Sequence, residues 1–165
     1  MICKRKIITH PNSLLRKRSL PVLQFDKNLE SLVEEMEYLM ISNNGVGLAA
    51  PQVGELSRLF IYKIDDNLQV VINPEIIEKV GSEVDVEGCL SVPGVFGPVE
   101  RAFKVIVQAQ NIYGDTIILN KEGYEARVIQ HEFDHLNGDL FIDKAEYLET
   151  AEERAKKQKE KLEKD

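Results

Sequence analysis

Between Gly123 and Leu136 apolar and aromatic side chains recur at helical spacing on two stripes, and this pattern constrains the fold most. One stripe holds Ala126, Ile129, Phe133 and Leu136; the other holds Tyr124, Val128, His131 and His135. A helix apolar on most of its sides belongs in an interior. The spacing therefore predicts a central helix, ended by Asn137-Gly138, with other elements packed around it. The elements available are short β-type runs: Leu59 to Ile64, Val70 to Ile72, Ile76 to Val80, Val105 to Gln110 and Thr116 to Leu119. Turn residues such as Asp65-Asp66-Asn67, Gly81-Ser82 and Tyr113-Gly114-Asp115 separate them. Connections this short leave no room for crossover helices, so the sheet should be mainly antiparallel. The class expected is α+β.

Two further helices are predicted. Asp26 is placed to cap the first, in which Leu29, Leu32, Val33, Met36, Leu39 and Met40 follow helical spacing until Asn43-Asn44-Gly45. The second is a charged C-terminal helix or tail over 144–165, where Glu152 with Lys156, Glu153 with Lys157 and Glu160 with Lys164 stand in the favourable i,i+4 order. It reads as a solvated helix without a clear basic face. A length of 165 residues, 43% of them hydrophobic, suits one domain with its own core, and the expectation is a single catalytic domain over 1–165.

The charge is uneven. Residues 1–25 carry six basic groups and no acid, 26–143 carry 8 basic and 21 acidic groups, and 144–165 carry seven of each, for a net charge of −7. That balance argues against a basic nucleic-acid-binding surface and a specific nucleic-acid partner. The basic start could be read as a transit peptide, but Pro11, Pro21 and Leu14-Leu15 look like an ordered entry to the domain. The longest uncharged run, Tyr38 to Gly54, contains Asn43, Asn44, Pro51 and Gln52 and is not a membrane span. Two cysteines, Cys3 and Cys89, exclude a disulfide scaffold and suit a reducing compartment, so the expected address is the cytoplasm.

The central helix carries His131-Glu132-Phe133-Asp134-His135. Histidines four apart lie one turn above each other on a helix and can face one ion, with Glu132 beside them to handle a proton of water. A catalytic site needs a third protein ligand and an open position. Phe141 stands where a third histidine of the H-x-x-G-x-x-H pattern would be, and His10 is distant in sequence. The better candidate is Cys89, in Glu87-Gly88-Cys89-Leu90-Ser91-Val92-Pro93-Gly94. A glutamate from the charged tail, Glu146 or Glu149, is the alternative, and it would suit an H-E-x-x-H zinc peptidase. A non-catalytic metal-binding module is the remaining reading, but it would leave Glu132 idle and needs a fourth ligand.

Three segments together resemble the signature motifs of the peptide deformylases: Gly45-Val46-Gly47-Leu48-Ala49-Ala50-Pro51-Gln52, then Glu87-Gly88-Cys89-Leu90-Ser91, then Gln130-His131-Glu132-Phe133-Asp134-His135-Leu136-Asn137-Gly138. Order and spacing match as well as content, over about residues 7–143. The resemblance implies an α+β fold with antiparallel sheets wrapped around a central metal-binding helix. It implies removal of the formyl group from the formyl-methionine of nascent polypeptides, with release of formate. It implies that Cys89, His131 and His135 bind one divalent metal ion, with Fe(II) favoured and Zn, Ni or Co also suited to thiolate and imidazole. Glu132 is then the acid/base, and Gln52 with the backbone of Leu90 holds the formyl oxygen. In some relatives a C-terminal helix touches the ribosome.

For the substrate, Tyr124 and Val128 lie seven and three residues before His131 and share its side of the helix. With Val46 and Leu48 as neighbours they would form an apolar pocket for the first side chain. Gly45 and Gly47 would let backbone approach a bound peptide as an added strand.

Overall fold

The computed structural model describes residues 3–165. Three helices and eight strands follow in the order α1 (Lys27–Ser42), β1 (Gly47–Ala49), β2 (Leu59–Ile64), β3 (Asn67–Val80), β4 (Glu83–Cys89), β5 (Val92–Arg101), β6 (Lys104–Gln110), β7 (Thr116–Glu122), α2 (Gly123–Leu136), β8 (Glu149–Thr150) and α3 (Ala151–Lys164). The α+β class and the antiparallel pairing expected from the sequence are both present. One sheet runs β1-β2-β3-β6-β7 and the other β4-β5-β8, and every neighbouring pair within them is antiparallel.

The five-stranded sheet is covered on both faces, which explains why β2 is a continuous apolar run. Alternate residues of a strand point to opposite faces. Phe60 and Tyr62 pack with Val105, Val107, Ala126 and Ile129 on the side of α2. Leu59 and Ile61 pack with Met36, Met40 and Ile72 on the side of α1. A third cluster, around Leu15, Val92, Val99 and Phe141, supports the smaller sheet. Each fully buried large apolar side chain contributes about 1.5–3 kcal/mol.

Helix α1 starts as predicted, with the Asp26 carboxylate accepting the N–H of Leu29 at 3.1 Å. Asn44, in a left-handed conformation (φ 57°), turns the chain out of it. Helix α2 has the predicted bounds. Gly138 follows it with φ 80°, and a Cβ there would collide with the carbonyl oxygen of Arg16, so glycine is required twice over. Its polar residues do not form a solvated face, however: Arg127, Gln130, Glu132 and Asp134 are all buried.

Four sequence expectations need correction. The two runs Val70–Ile72 and Ile76–Val80 are one strand, β3, which passes through Pro74 by register shifts on its β6 side. The β4–β5 hairpin was not predicted. The C-terminal helix begins at Ala151 rather than at 144, because Glu149 and Thr150 pair with Phe96 and Val95 of β5. Its i,i+4 pairs are not closed; Arg154 and Lys157 turn instead to the buried Glu149, at 3.7 and 2.9 Å. Among the described residues no helix is long and apolar enough to cross a membrane.

Candidate metal centre and active site

Three elements bring the ligand candidates together. Helix α2 supplies His131 and His135, whose ring centroids lie 5.1 Å apart. The end of β4 supplies Cys89, whose Sγ is 3.4 Å from Nε2 of His135. One ligand atom from each of the three lies within 4.8 Å of the others. A thiolate with two imidazoles is the donor set of a soft or borderline divalent ion. Oε2 of Glu132, buried beside them, has no protein partner. Burial of such atoms is costly unless something meets them, so the residues present fit a metal ion with water beside it. Among the described residues no fourth ligand joins the group, as a closed structural site would need. The tail does not supply the third: Glu149 is occupied by Arg154 and Lys157, and Glu146 is exposed.

The surroundings hold these groups in place. The Nδ1–H of His131 donates to Oε1 of Glu87 at 2.8 Å, which fixes the ring and leaves Nε2 free. Phe141 stacks on the same ring with centroids 6.2 Å apart. Glu87 in turn accepts two hydrogen bonds from Arg101, each 2.9 Å, and one from Arg127 at 2.8 Å. Arg101 also reaches Asp134 at 2.5 Å, and Lys144 meets the same oxygen at 2.8 Å. Burial alone would raise the Glu87 carboxyl, but the hydrogen bonds from Arg101 and His131 outweigh it and hold it well below the ordinary range. Burial and the charge of His131 hold His135 well below the usual imidazole value, in the neutral form that can ligate. Burial pushes Glu132 up to about 7, moderated by His131. A carboxyl in that range is poised to take and return a proton near neutrality.

Gln52 is aimed by the backbone of its own turn. The N–H of Ala49 donates to its Oε1 at 2.8 Å, so its Nε2 faces the other way, 3.1 Å from the Ser91 hydroxyl and 3.5 Å from the Cys89 sulfur. Close backbone approach explains two glycines. A Cβ on Gly47 would fall 2.6 Å from Oε1 of Glu132, and one on Gly45 would fall 2.6 Å from the Leu90 side chain.

A cavity of about 610 Å³ opens over this centre, in the size range of ligand sites. All but one of the residues assigned from the sequence to substrate or catalysis line it: Val46, Gly47, Gln52, Leu90, Tyr124, Val128 and Glu132. Cys89 and His131 reach its wall, and His135 lies behind them. Leu48 does not; it is fully buried in the cluster under α1. Sequence reasoning missed Arg101, Arg127 and Asp134, and gave Glu87 no role. Their only sequence signal was charge at positions that also looked like strand or core helix.

The family model of the polypeptide deformylases matches residues 4–151. The chain belongs to the polypeptide deformylase family. Its relatives within the family include the peptide deformylase of Caldicellulosiruptor bescii, 50% identical over 140 residues, which are 85% of this chain and 84% of that one. Peptide deformylase 1 of Bacillus subtilis is 44% identical over 153 residues, 92% of this chain and 96% of its own. The crystal structure of the Thermotoga maritima peptide deformylase superposes with a TM-score of 0.85 at 46% identity, covering 87% of this chain and 98% of that one. That of the Synechococcus elongatus enzyme, a complex with actinonin, gives 0.86 at 38% identity, covering 88% and 81%. Peptide deformylases are hydrolases of protein biosynthesis that remove the N-formyl group from nascent polypeptides.

Proposed function

We propose that Cys89, His131 and His135 hold one divalent ion, Fe(II) in the native enzyme, and that Glu132, Gln52 and Leu90 carry out deformylation around it. The observation that supports this most is the convergence of the three ligand atoms beside the unpartnered carboxylate oxygen of Glu132. Bound there, a divalent ion supplies Lewis acidity and lowers the pKa of a coordinated water from about 16 towards 7. Glu132 accepts the proton of the attacking water and later delivers it to the departing amine nitrogen, so one carboxyl serves as base and then as acid. The Gln52 amide and the Leu90 backbone N–H are donors for the formyl oxygen as it gains negative charge. Losing one such donor typically costs about 3 kcal/mol of transition-state stabilisation.

Val46, Tyr124 and Val128 form the apolar wall that receives the methionine side chain, and Gly47 lets the peptide backbone lie close to β1. Pairing is available there because β1 and β4 are both edge strands. Residues 1–165 work as one catalytic unit, in the cytoplasm, on emerging chains. A transient ribosome contact through α3 is supported by Lys161 and Lys164, exposed at the end of a helix that buries no residue.

The test is formate release from a formyl-Met peptide by protein purified without oxygen, with its metal content measured. We expect about one ion per chain, turnover that tracks it, and binding of actinonin, the compound held by the Synechococcus elongatus relative. Metal without turnover would leave only a binding module, and cleavage of internal peptide bonds would make the chain a peptidase.

A further inference from the structure

Helix α2 has a second use of its surface. Phe133 and Asn137, on the side opposite His131 and His135, line another cavity, of about 670 Å³. Arg18 and Arg58 line it with them. Arg58 is only 8% exposed. Its Nη1 donates to the carbonyl of Leu136 at 3.0 Å and to Oδ1 of Asn137 at 3.1 Å, and its guanidinium lies 5.9 Å from the Phe133 ring centroid. These contacts use one nitrogen and leave the rest of the planar fork.

What sets Arg58 apart is the missing acid. The other two buried arginines are paired, Arg101 with Glu87 and Asp134, and Arg127 with Glu87. Among the described residues no carboxylate lies within ion-pair distance of Arg58 or Arg18. Burial lowers the proton affinity of Arg58, and the charge of Arg18 lowers it further, so the two cations act on each other without an anion between them. A buried charge is ordinarily paired. Lys79 adds a third cation at the rim, opposed by Glu75 and Glu78, all three exposed.

We propose that this cavity binds a small phosphate-bearing ligand, its phosphate held by Arg18 and Arg58 and its apolar part against Phe133 and Ile76. Guanidinium forks match phosphate oxygens in bidentate geometry, and two cations suit a dianion better than a single carboxylate. The ligand is small rather than a polynucleotide, because the chain carries a net charge of −7 and Glu75 and Glu78 guard the rim. The site is separate from the deformylation centre and does not depend on that assignment.

The test is an NMR titration of isotopically labelled, zinc-loaded enzyme with inorganic phosphate at constant ionic strength. Saturable shifts should appear at Arg18, Arg58, Phe133 and Asn137 and nowhere near Cys89. Arg18→Gln should weaken binding about tenfold or more, the effect of one charge-assisted contact. Arg58→Lys keeps the charge but not the fork and should also weaken it. Replacing Glu75 and Glu78 with Gln should tighten it. Acetate should bind much more weakly than phosphate. Shifts that do not saturate, or that survive Arg18→Gln unchanged, would mean ionic screening only and overturn the proposal. Acetate binding as well as phosphate would overturn the phosphate assignment. A single-stranded RNA oligomer binding here far more tightly than phosphate would overturn the small-ligand assignment.

Discussion

Nδ1 of His131 lies 2.8 Å from Oε1 of Glu87, a residue 44 positions earlier in the chain. The contact ties the metal helix to the strand that delivers Cys89, two residues on. Glu87→Gln keeps an acceptor for the imidazole but removes the charge facing Arg101 and Arg127. Breaking a buried ion pair on one side costs about 3–5 kcal/mol, and a neutral amide behind His131 makes its imidazole a weaker ligand than a carboxylate does. We expect a melting temperature lower by about 10 °C together with weaker metal retention. A variant that melts like the parent and keeps its metal in chelator would show that Glu87 does neither.

Acid should erase the same difference. The folded carboxyl of Glu87 sits below its unfolded value, so its stabilisation is fully present above about pH 5 and is lost as the pH falls. The melting gap between parent and Glu87→Gln should be widest at neutrality and close on acidification. A gap that stayed constant down to pH 3 would place the stabilising charge elsewhere.

Cys89→Ala should strip or badly weaken the metal site, whereas Cys3→Ala should change little, since among the described residues the Cys3 sulfur meets Glu35 and the Arg5 carbonyl, each at 3.6 Å. Metal analysis of the two purified variants decides this. With iron bound, activity should decay in air and last longer with nickel or cobalt, because the thiolate is open to oxidation.

Glu132→Gln should retain metal and lose roughly a hundred- to ten-thousandfold in kcat. In the parent, kcat/KM should fall on acidification, since Glu132 must be ionised to accept the proton; burial pushes its carboxyl up to about 7, and a bound cation draws it back down. That acid limb should vanish in the residual activity of the variant. A limb that persists unchanged in Glu132→Gln belongs to another group.

Gly47→Ala is the subtler probe. The new methyl would stand 2.6 Å from Oε1 of Glu132, and displacing a reacting group by about an ångström can cost roughly a hundredfold. The protein should fold and bind metal normally while kcat drops. Normal turnover would mean that the backbone of β1 gives way instead.

Substrate choice follows from the apolar wall of Val46, Tyr124 and Val128. Formyl-Met peptides should be hydrolysed far better than formyl-Asp or formyl-Lys peptides, whose charges would shed water without a partner. Acetyl-Met peptides should be nearly inert. Steady-state kinetics on these four substrates settles the matter.

The sequence showed most where a local rule operates. Helices α1 and α2 follow one period and carry their own stop signals, and the H-E-x-x-H spacing puts both imidazoles on one side. It showed least where partners are far apart. Glu87 meets Arg101 after 14 residues, Arg127 after 40 and His131 after 44, and nothing in a local window links them. Strand β4 alternates Glu83, Asp85 and Glu87 with Val84 and Val86, so its period was present but masked by acids. Strand β5 carries Pro93, Gly94, Gly97 and Pro98, residues that interrupt a strand pattern. Gly97 is there because a Cβ would collide with the Tyr147 carbonyl, part of the distant tail. Three-residue β1 is too short to leave a pattern.

The two edge strands flanking the catalytic cavity bear on how many substrates one active site can serve. Beyond its first side chain, a peptide bound between β1 and β4 as proposed would offer them mainly its main chain, which is common to all proteins. Selectivity would then be concentrated on the formyl-methionyl end, leaving the residues that follow free to vary. In that arrangement a single copy of this fold would serve a whole proteome's worth of beginnings without a separate enzyme for each.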